Sequence, residues 1–279
     1  MAYKSLLTVV TDTKIAKPAL EKAITIARAQ DAHLDVLCLG VDRTQTGYYY
    51  AGASAVFQQE VIEKAKEEAA TAEKFSLGLL KNSEIKWALD KAVAQLAGLG
   101  RLVAHRARFN DLIILPRPYG KECGQEQEIF VESALFEGHA PTLVIPPKAK
   151  APVDAKRIIV AWNESSEAMS AVRAALPALI AADSVNIVVI DPPQHGPDRS
   201  DPGGALSQML VRHGVKAEIT VLAKTMPRVS DVLLRHTRDM DADLLVMGAY
   251  GHSRFREAIL GGATRNMLEN ASVPVLMAH

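Results

Sequence analysis

The chain has 279 residues with 32 basic and 32 acidic side chains, so its formal net charge is zero. A neutral chain gives no electrostatic reason to expect a nucleic acid or an anionic membrane as a partner. The composition, 48% hydrophobic and 23% charged, is that of a globular protein. No apolar run approaches the roughly 20 residues that span a bilayer.

The N-terminal apolar run, "SLLTVV", is too short for a signal sequence and reads better as a strand. The two cysteines, Cys38 and Cys123, form no CxxC motif and no disulfide framework. Cys38 lies inside "LDVLCLGV" and reads as a small buried side chain. These features together predict a cytoplasmic protein.

The first half alternates short apolar runs with segments of helical periodicity. Unbroken apolar runs are typical of strands covered on both faces, as in a parallel sheet. A long helix is predicted over residues 55–80. It follows a segment with three consecutive tyrosines, Tyr48 to Tyr50, which either lines a cleft or forms an ordinary loop. The runs predict strands at residues 6–10, 34–39, 112–115 and 143–145.

The second half repeats the order of the first. "KRIIVAWNESSEAMSAVRAALPALIAADSVNIVVID" follows the same plan as the opening segment: strand, polar turn, amphipathic helix, strand and Asp. The seam, "PPKAKAPVDAK", lacks apolar periodicity and reads as a linker. We therefore expect two domains, residues 1–148 and 149–279.

Alternating strands and helices predict a doubly wound α/β fold, and we expect five parallel strands in each half. The helix "EAMSAVRAALPALIAA" has its apolar residues at steps of three and four. A loop rich in proline and glycine, "DPPQHGPDRSDPGG", follows the second strand. The predicted strands of the second half are residues 158–161, 185–190, 217–222, 244–247 and 273–277.

A glycine-rich stretch, "GAYGHSRFREAILGGATRNML", follows the fourth strand of the second half. In an open parallel sheet, ligands bind beyond the carboxyl ends of the strands, where the strand order reverses. Missing side chains at Gly248, Gly251 and Gly261 would let an anion approach backbone N–H groups, and the next helix would add partial positive charge. The spacing fits neither a Walker A motif nor GxGxxG. From spacing alone, a phosphate cradle and a plain strand–helix loop both remain open.

The whole chain resembles a tandem universal stress protein of the UspA type, with two Rossmann-like, adenine nucleotide alpha hydrolase-like domains. The resemblance rests on the repeat, on the ending "SVPVLMAH" and on the spacing G-x2-G-x9-G at Gly248, Gly251 and Gly261. It implies ATP or AMP as the ligand of the second domain, with or without Mg²⁺.

By the same resemblance, Asn163 would contact the adenosine part, Val189 would meet adenine through its backbone, and the glycine loop would hold ribose and phosphates. Asn163 stands where the family has Asp, and Gly262 stands where it has Ser or Thr. Asp191 either touches a ribose hydroxyl or only begins a loop. The full expected set is Asn163, Val189, Asp191, Met247, Gly248, Gly251, His252, Arg254, Gly261, Gly262, Ala263 and Thr264.

The first half differs at the matching stretch, "PRPYGKECGQEQEIFVES". Pro116 and Pro118 offer no N–H group, and Glu122, Glu126 and Glu128 place negative charge where a phosphate would lie. Asp12 after the first strand is explained equally by helix capping. We therefore expect the first domain to have lost nucleotide binding.

The eight histidines show no metal-ligand spacing, and there is no G-x-S-x-G elbow for a hydrolase. His236 falls on an apolar helix face and is expected to be packed. We expect a regulatory nucleotide-binding protein rather than an enzyme. A slow ATPase and an interaction protein without nucleotide remain as alternatives. We expect the halves to pair through their last strands as an intramolecular pseudo-dimer, and two chains to form a homodimer.

Overall fold

The computed structural model describes residues 3–44, 55–192, 201–249 and 262–279. The chain divides into two compact units, an N-terminal unit of residues 3–140 and a C-terminal unit of residues 141–279. Both alternate strands with helices, which confirms the predicted α/β class. The three tyrosines and most of the glycine loop lie outside the described residues. No helix within the described ranges is long and apolar enough to cross a bilayer.

The N-terminal unit holds four parallel strands in the order β3-β2-β1-β4. Helix α1 packs on β1 and β4, α2 packs on β2 and β3, and α3 contacts α4. The strands are β1 (Ser5–Val10), β2 (His33–Asp42), β3 (Lys86–Gln95) and β4 (Leu112–Pro116). The helices are α1 (Thr13–Gln30), α2 (Ala55–Leu80), α3 (Leu99–Ala107) and α4 (Gln125–Phe136).

Strand β3 is absent from the sequence-based prediction. Its sequence, "KWALDKAVAQ", has two short apolar stretches separated by the charged pair Asp90 and Lys91, so it forms no continuous apolar run. The strand pairs only with β2 among the described strands and is largely exposed to solvent. An edge strand needs no continuous apolar run, because solvent covers much of it.

The C-terminal unit has six strands in the order β5-β10-β9-β6-β7-β8. Five are parallel, and β5 pairs antiparallel with β10. Helix α5 packs on β9 and β10, and α8 contacts α7. The strands are β5 (Thr142–Ile145), β6 (Arg157–Ala161), β7 (Ser184–Ile190), β8 (Ala217–Leu222), β9 (Leu244–Gly248) and β10 (Val275–Ala278). The helices are α5 (Ser166–Ala181), α6 (Gly204–Arg212), α7 (Val229–Asp239) and α8 (Ala263–Asn270).

The position of β5 corrects the expectation of five parallel strands in each half. This strand comes from the first half of the sequence, but its hydrogen bonds to β10 place it in the C-terminal unit. The contact boundary accordingly falls between residues 140 and 141. The last strands of the two sequence halves pair with each other, as expected.

Helix α2 lies against β2 at a glycine. A Cβ atom added at Gly40 would lie 1.7 Å from the carbonyl oxygen of Ala65 and 3.2 Å from Cβ of Ala69. Any larger residue at this position would push the helix away from the sheet. Beneath the same helix, Cys38 is fully buried and its Sγ lies 3.5 Å from Oγ of Ser76, which confirms its structural role.

His236 lies half-buried between α7 and the sheet. Its Nε2 is 2.9 Å from Oδ1 of Asn186, whose Nδ2 donates to Oγ1 of Thr220 at 2.8 Å. Because the Asn186 oxygen is an acceptor, Nε2 acts as the donor. Desolvation lowers the pKa of His236 below its ordinary value, against an opposing effect of Asp239. His236 is therefore a packed residue that makes one polar contact, with Asn186.

We expect Gly40→Ala to lower the free energy of unfolding by about 1–3 kcal/mol, because the new methyl group would overlap the α2 backbone. Gly78→Ala lies in the same helix, where an added Cβ meets no atom within 4 Å. This control should stabilise the protein by up to about 1 kcal/mol through helix propensity. Urea unfolding of both variants provides the test, and equal effects would contradict the packing argument.

The lowered pKa of His236 predicts a loss of stability in mild acid. Above its ordinary pKa of 6.5 the histidine is neutral in both the folded and unfolded states. As the pH falls through that value, the unfolded chain takes up the proton first, so the free energy of unfolding decreases until the folded pKa is passed. His236→Gln keeps a donor for Asn186 without titrating. Its stability should decrease less than that of the wild type between about pH 7.5 and pH 5.5.

Candidate functional site

A cavity of about 360 Å³ opens at the carboxyl edge of the C-terminal sheet. It lies where β6 and β9 run side by side. After β6 the chain continues to β7 and β8 on one side of β6, and it then crosses back to β9 on the other side. This is the topological switch point at which open α/β sheets bind ligands. Its described lining residues are Ala161, Trp162, Asn163, Val188, Ile190, Val229, Ser230, Leu233, Met247, Gly248, Ala263, Thr264 and Met267.

The cavity brings together predicted residues from three separate parts of the sequence. One follows β6, two end β9, and two begin α8. Thr264 is buried at 3% exposure, whereas Asn163 is exposed at the rim. The carboxyl ends of neighbouring parallel strands meet at one edge, so this convergence follows from the topology. The five predicted residues that line the cavity are Asn163, Met247, Gly248, Ala263 and Thr264.

Gly248 has a packing role that its place in the glycine motif does not suggest. A Cβ atom added there would lie 2.5 Å from the backbone nitrogen of Ala168 and 2.8 Å from the carbonyl carbon of Glu167. The missing side chain therefore lets the end of β9 lie against the first turn of α5. Gly248 itself lines the cavity, so this contact fixes the position of one part of the cavity wall.

The first turn of α5 satisfies its own N–H groups. Oγ of Ser165 accepts a hydrogen bond from the backbone nitrogen of Ala168 at 3.1 Å and so caps the helix. Glu167 accepts a hydrogen bond from its own N–H group; this bond, with help from Ser165, Ser166 and nearby His279, lowers the pKa of Glu167. Oδ1 of Asn163 accepts from the Ser165 nitrogen at 3.3 Å. This helix end consequently has little left to offer an anion.

The two helices on the opposite face of the sheet begin differently. Arg228 precedes α7 and Gly262 precedes α8 at the N-cap position, and neither position makes a side-chain cap hydrogen bond. Both first turns line the cavity, through Val229 and Ser230 on α7 and through Ala263 and Thr264 on α8. The start of a helix carries partial positive charge from its aligned peptide dipoles. The described lining of the cavity is therefore mostly apolar and carries no charged side chain. It also includes two helix starts that are suited to an anionic group.

Other predicted residues lie outside the described lining. Val189 is buried and faces away from Val188 and Ile190, because side chains alternate along a strand. The predicted contact of Val189 was through its backbone and stays a prediction. Asp191 is exposed with a positive φ of 50°, and its N–H donates to the carbonyl of Leu222. Gly262 precedes α8. The described residues do not include Gly251, His252, Arg254 or Gly261.

Sequence reasoning missed the contribution of α7 to the site. Val229, Ser230 and Leu233 line the cavity because α7 begins at the carboxyl edge after β8 and then crosses over the sheet towards β9. The apolar face of this helix was visible in the sequence, but it predicted only packing. Trp162 was missed as well. It follows β6, and its backbone N–H donates to the backbone carbonyl of Val188 at 2.9 Å.

The N-terminal unit places charges at the corresponding edge of its own sheet. Nε of Arg43, just after β2, lies 2.5 Å from Oε1 of Glu126, and its Nη1 lies 3.0 Å from both oxygens of Glu68. Glu126 is buried, and its carboxylate folds back over Gly124, which begins α4. Asp12 caps α1 through hydrogen bonds from the N–H groups of Lys14 and Ile15. An internal carboxylate thus occupies this helix start.

No group of three or more acidic, histidine or cysteine side chains is placed to hold a metal ion within the described ranges. The described lining of the cavity also lacks His, Cys, Asp, Glu and Lys. It offers the neutral polar side chains of Asn163, Ser230 and Thr264 among apolar neighbours. Such a lining is suited to an uncharged ring.

Two comparisons of sequence place the C-terminal half among known proteins. Residues 155–279 match the universal stress protein family. The chain is also 27% identical over 121 residues to the universal stress protein Slr1230 of Synechocystis sp.. That match spans 43% of this chain and 41% of the relative, so the chain covers less than half of the relative's length.

A comparison of structures extends the likeness to nearly the whole chain. A universal stress protein from Archaeoglobus fulgidus DSM 4304 superposes with a TM-score of 0.75 over 98% of this chain and 96% of its own. The two sequences are 14% identical, so this likeness is one of fold.

Proposed function

We propose that the C-terminal half of this chain, whose residues 155–279 match the universal stress protein family, binds an adenine nucleotide, ATP or AMP, at the carboxyl edge of its sheet. One observation carries the proposal. The residues expected to hold the nucleotide after β6, at the end of β9 and at the start of α8 line a single cavity. The volume of about 360 Å³ lies within the range of small-molecule sites.

The apolar part of the cavity suits the base. Val188, Ile190, Met247 and Met267 give an apolar surface that a planar ring can cover. Methionine side chains adapt to such rings and make favourable contacts between sulfur and aromatic groups. Asn163 at the rim would then hydrogen-bond the sugar, since its amide keeps both donors and acceptors in place of the family's Asp.

The start of α8 suits the phosphates. Gly262 and the first turn of the helix present N–H groups without a side-chain cap, and Thr264 adds a hydroxyl beside them. A phosphate at a helix start gains from backbone N–H groups that point towards it and from the partial positive charge. The glycines at Gly251 and Gly261, with His252 and Arg254, belong to the same proposal. Mg²⁺, where it accompanies ATP, would be held chiefly through the phosphates.

We infer a regulatory role instead of catalysis. The described lining contains no residue able to act as a general base near neutral pH. Slow ATP hydrolysis remains the enzymatic alternative, and an interaction protein without nucleotide is the other. In the N-terminal unit, the pairing of Glu126 with Arg43 at the start of α4 favours a domain that takes no nucleotide. Cytoplasmic location and homodimer formation stay predictions.

Isothermal titration of the purified chain with ATP and Mg²⁺ tests the proposal. We expect one binding site per chain, a higher melting temperature in the presence of ATP, and loss of both in Gly261→Glu. A ligand that binds only the folded state must raise the midpoint of unfolding. Gln208→Glu adds the same charge on the exposed face of α6 and serves as the matched control.

The proposal fails if the wild type gives neither heat nor a shift in melting temperature, or if Gly261→Glu binds ATP as tightly as the control. Circular dichroism of Gly261→Glu, compared with the wild type, separates lost binding from lost folding. Phosphate release that exceeds that of Gly251→Ala would favour the slow ATPase instead.

A further inference from the structure

A buried amide joins α7 to α8 beside the cavity. With the amide of Asn266 oriented to satisfy its neighbours, Nδ2 donates to Oγ of Ser230 at 2.9 Å and to Oδ1 of Asp231 at 3.2 Å. In the same orientation, Oδ1 accepts a hydrogen bond from Nη1 of Arg228 at 2.6 Å. Asn266 is 6% exposed, so this arrangement is fixed within the packing of the two helices.

This network lies directly against the cavity. Ser230 lines it from α7, and Thr264, two residues before Asn266, lines it from α8. Arg228 immediately precedes the first helical residue of α7. The guanidinium group is therefore held at the place where the two uncapped helix starts approach each other.

The charge of Arg228 is not neutralised by a carboxylate within the described part of the chain. Its partner is the neutral amide oxygen of Asn266, and Asp231 accepts from the same amide instead of pairing with the arginine. Arg43 in the N-terminal unit is the opposite case, because Glu68 and Glu126 both contact it. A guanidinium bound to an amide keeps its full charge and most of its five N–H donors for another group.

We propose that Arg228 supplies the positive charge that binds the phosphate of the nucleotide, and that Asn266 is the residue that positions it. This inference rests on the proposed function and identifies how the site would distinguish a nucleotide from the corresponding nucleoside. The apolar lining binds the base in either case. Arg228 adds affinity only when the ligand carries a phosphate, since a guanidinium pairs with phosphate oxygens through parallel hydrogen bonds.

The test compares ATP with adenosine by isothermal titration in four variants of the full chain. Arg228→Ala should weaken ATP binding by about tenfold or more, as expected for a charge-assisted hydrogen bond, and leave adenosine binding unchanged. Arg228→Lys keeps the positive charge but lacks the paired N–H donors of a guanidinium group, so it should recover part of the lost ATP affinity. Asn266→Ala should weaken ATP binding to a smaller extent. Arg235→Ala is the matched control, because this exposed arginine lies further along α7, where its Nη2 lies 3.5 Å from Oγ1 of Thr225 and not beside Asn266.

A merely structural role for Arg228 would weaken ATP and adenosine binding equally, and that result would overturn the inference. Unchanged ATP affinity in Arg228→Ala would also overturn it, while leaving the proposed function intact. If the wild type binds neither ligand, both the proposed function and this inference fail. Melting temperatures of all variants identify any loss of folding.

Discussion

The close contact between β9 and the first turn of α5 determines where a ligand can lie in this protein. Gly248 ends β9, and any side chain there would overlap the backbone at Glu167 and Ala168. With that contact made, β9 sits beside β6 at the point where the strand order reverses. The helices α7 and α8 then begin on the other face, and the cavity forms between their first turns and the strand ends. Gly248 is therefore needed for the packing of the site, independently of any ligand.

The two halves of the chain use one topology with opposite electrostatics. At the edge of the N-terminal sheet, Arg43 is neutralised by two carboxylates, and Glu126 lies over the start of α4. In the C-terminal unit, α7 and α8 begin without side-chain caps, and Arg228 is held by a neutral amide. An anion stabilises the start of a helix. In the N-terminal unit the carboxylate of Glu126 is that anion, and in the C-terminal unit the proposed phosphate would be.

The sequence predicted the strands that are buried on both faces, because a short unbroken apolar run between turn residues is typical of such strands. It also predicted α2, whose bounds of Ala55–Leu80 match the expected residues 55–80. The edge strand β3 was missed because the charged pair Asp90 and Lys91 interrupts its apolar residues. The pairing of the last strands, β5 and β10, was expected, but the expectation of five parallel strands in each half was wrong for β5, because a pairing between strands far apart in the chain leaves no local pattern that gives its direction.

The site was predictable in part for the same reasons. Asn163 and Thr264 follow from the rule that ligands lie at the carboxyl edge, which needs only the order of strands and helices. Ser230 and Arg228 do not follow from it, because their place depends on how α7 crosses the sheet and on the amide of Asn266. The packing role of Gly248 likewise required the distance to α5, which the G-x2-G-x9-G spacing does not contain.

Native mass spectrometry of the purified chain with ATP is the most direct measurement of the central claim, which is that only the C-terminal domain holds a nucleotide. We expect complexes that carry one adenine nucleotide per chain, with no second nucleotide as the ATP concentration rises. Two nucleotides per chain would contradict the proposal that the N-terminal unit takes no nucleotide. A chain that remains free of nucleotide at saturating ATP would contradict nucleotide binding altogether.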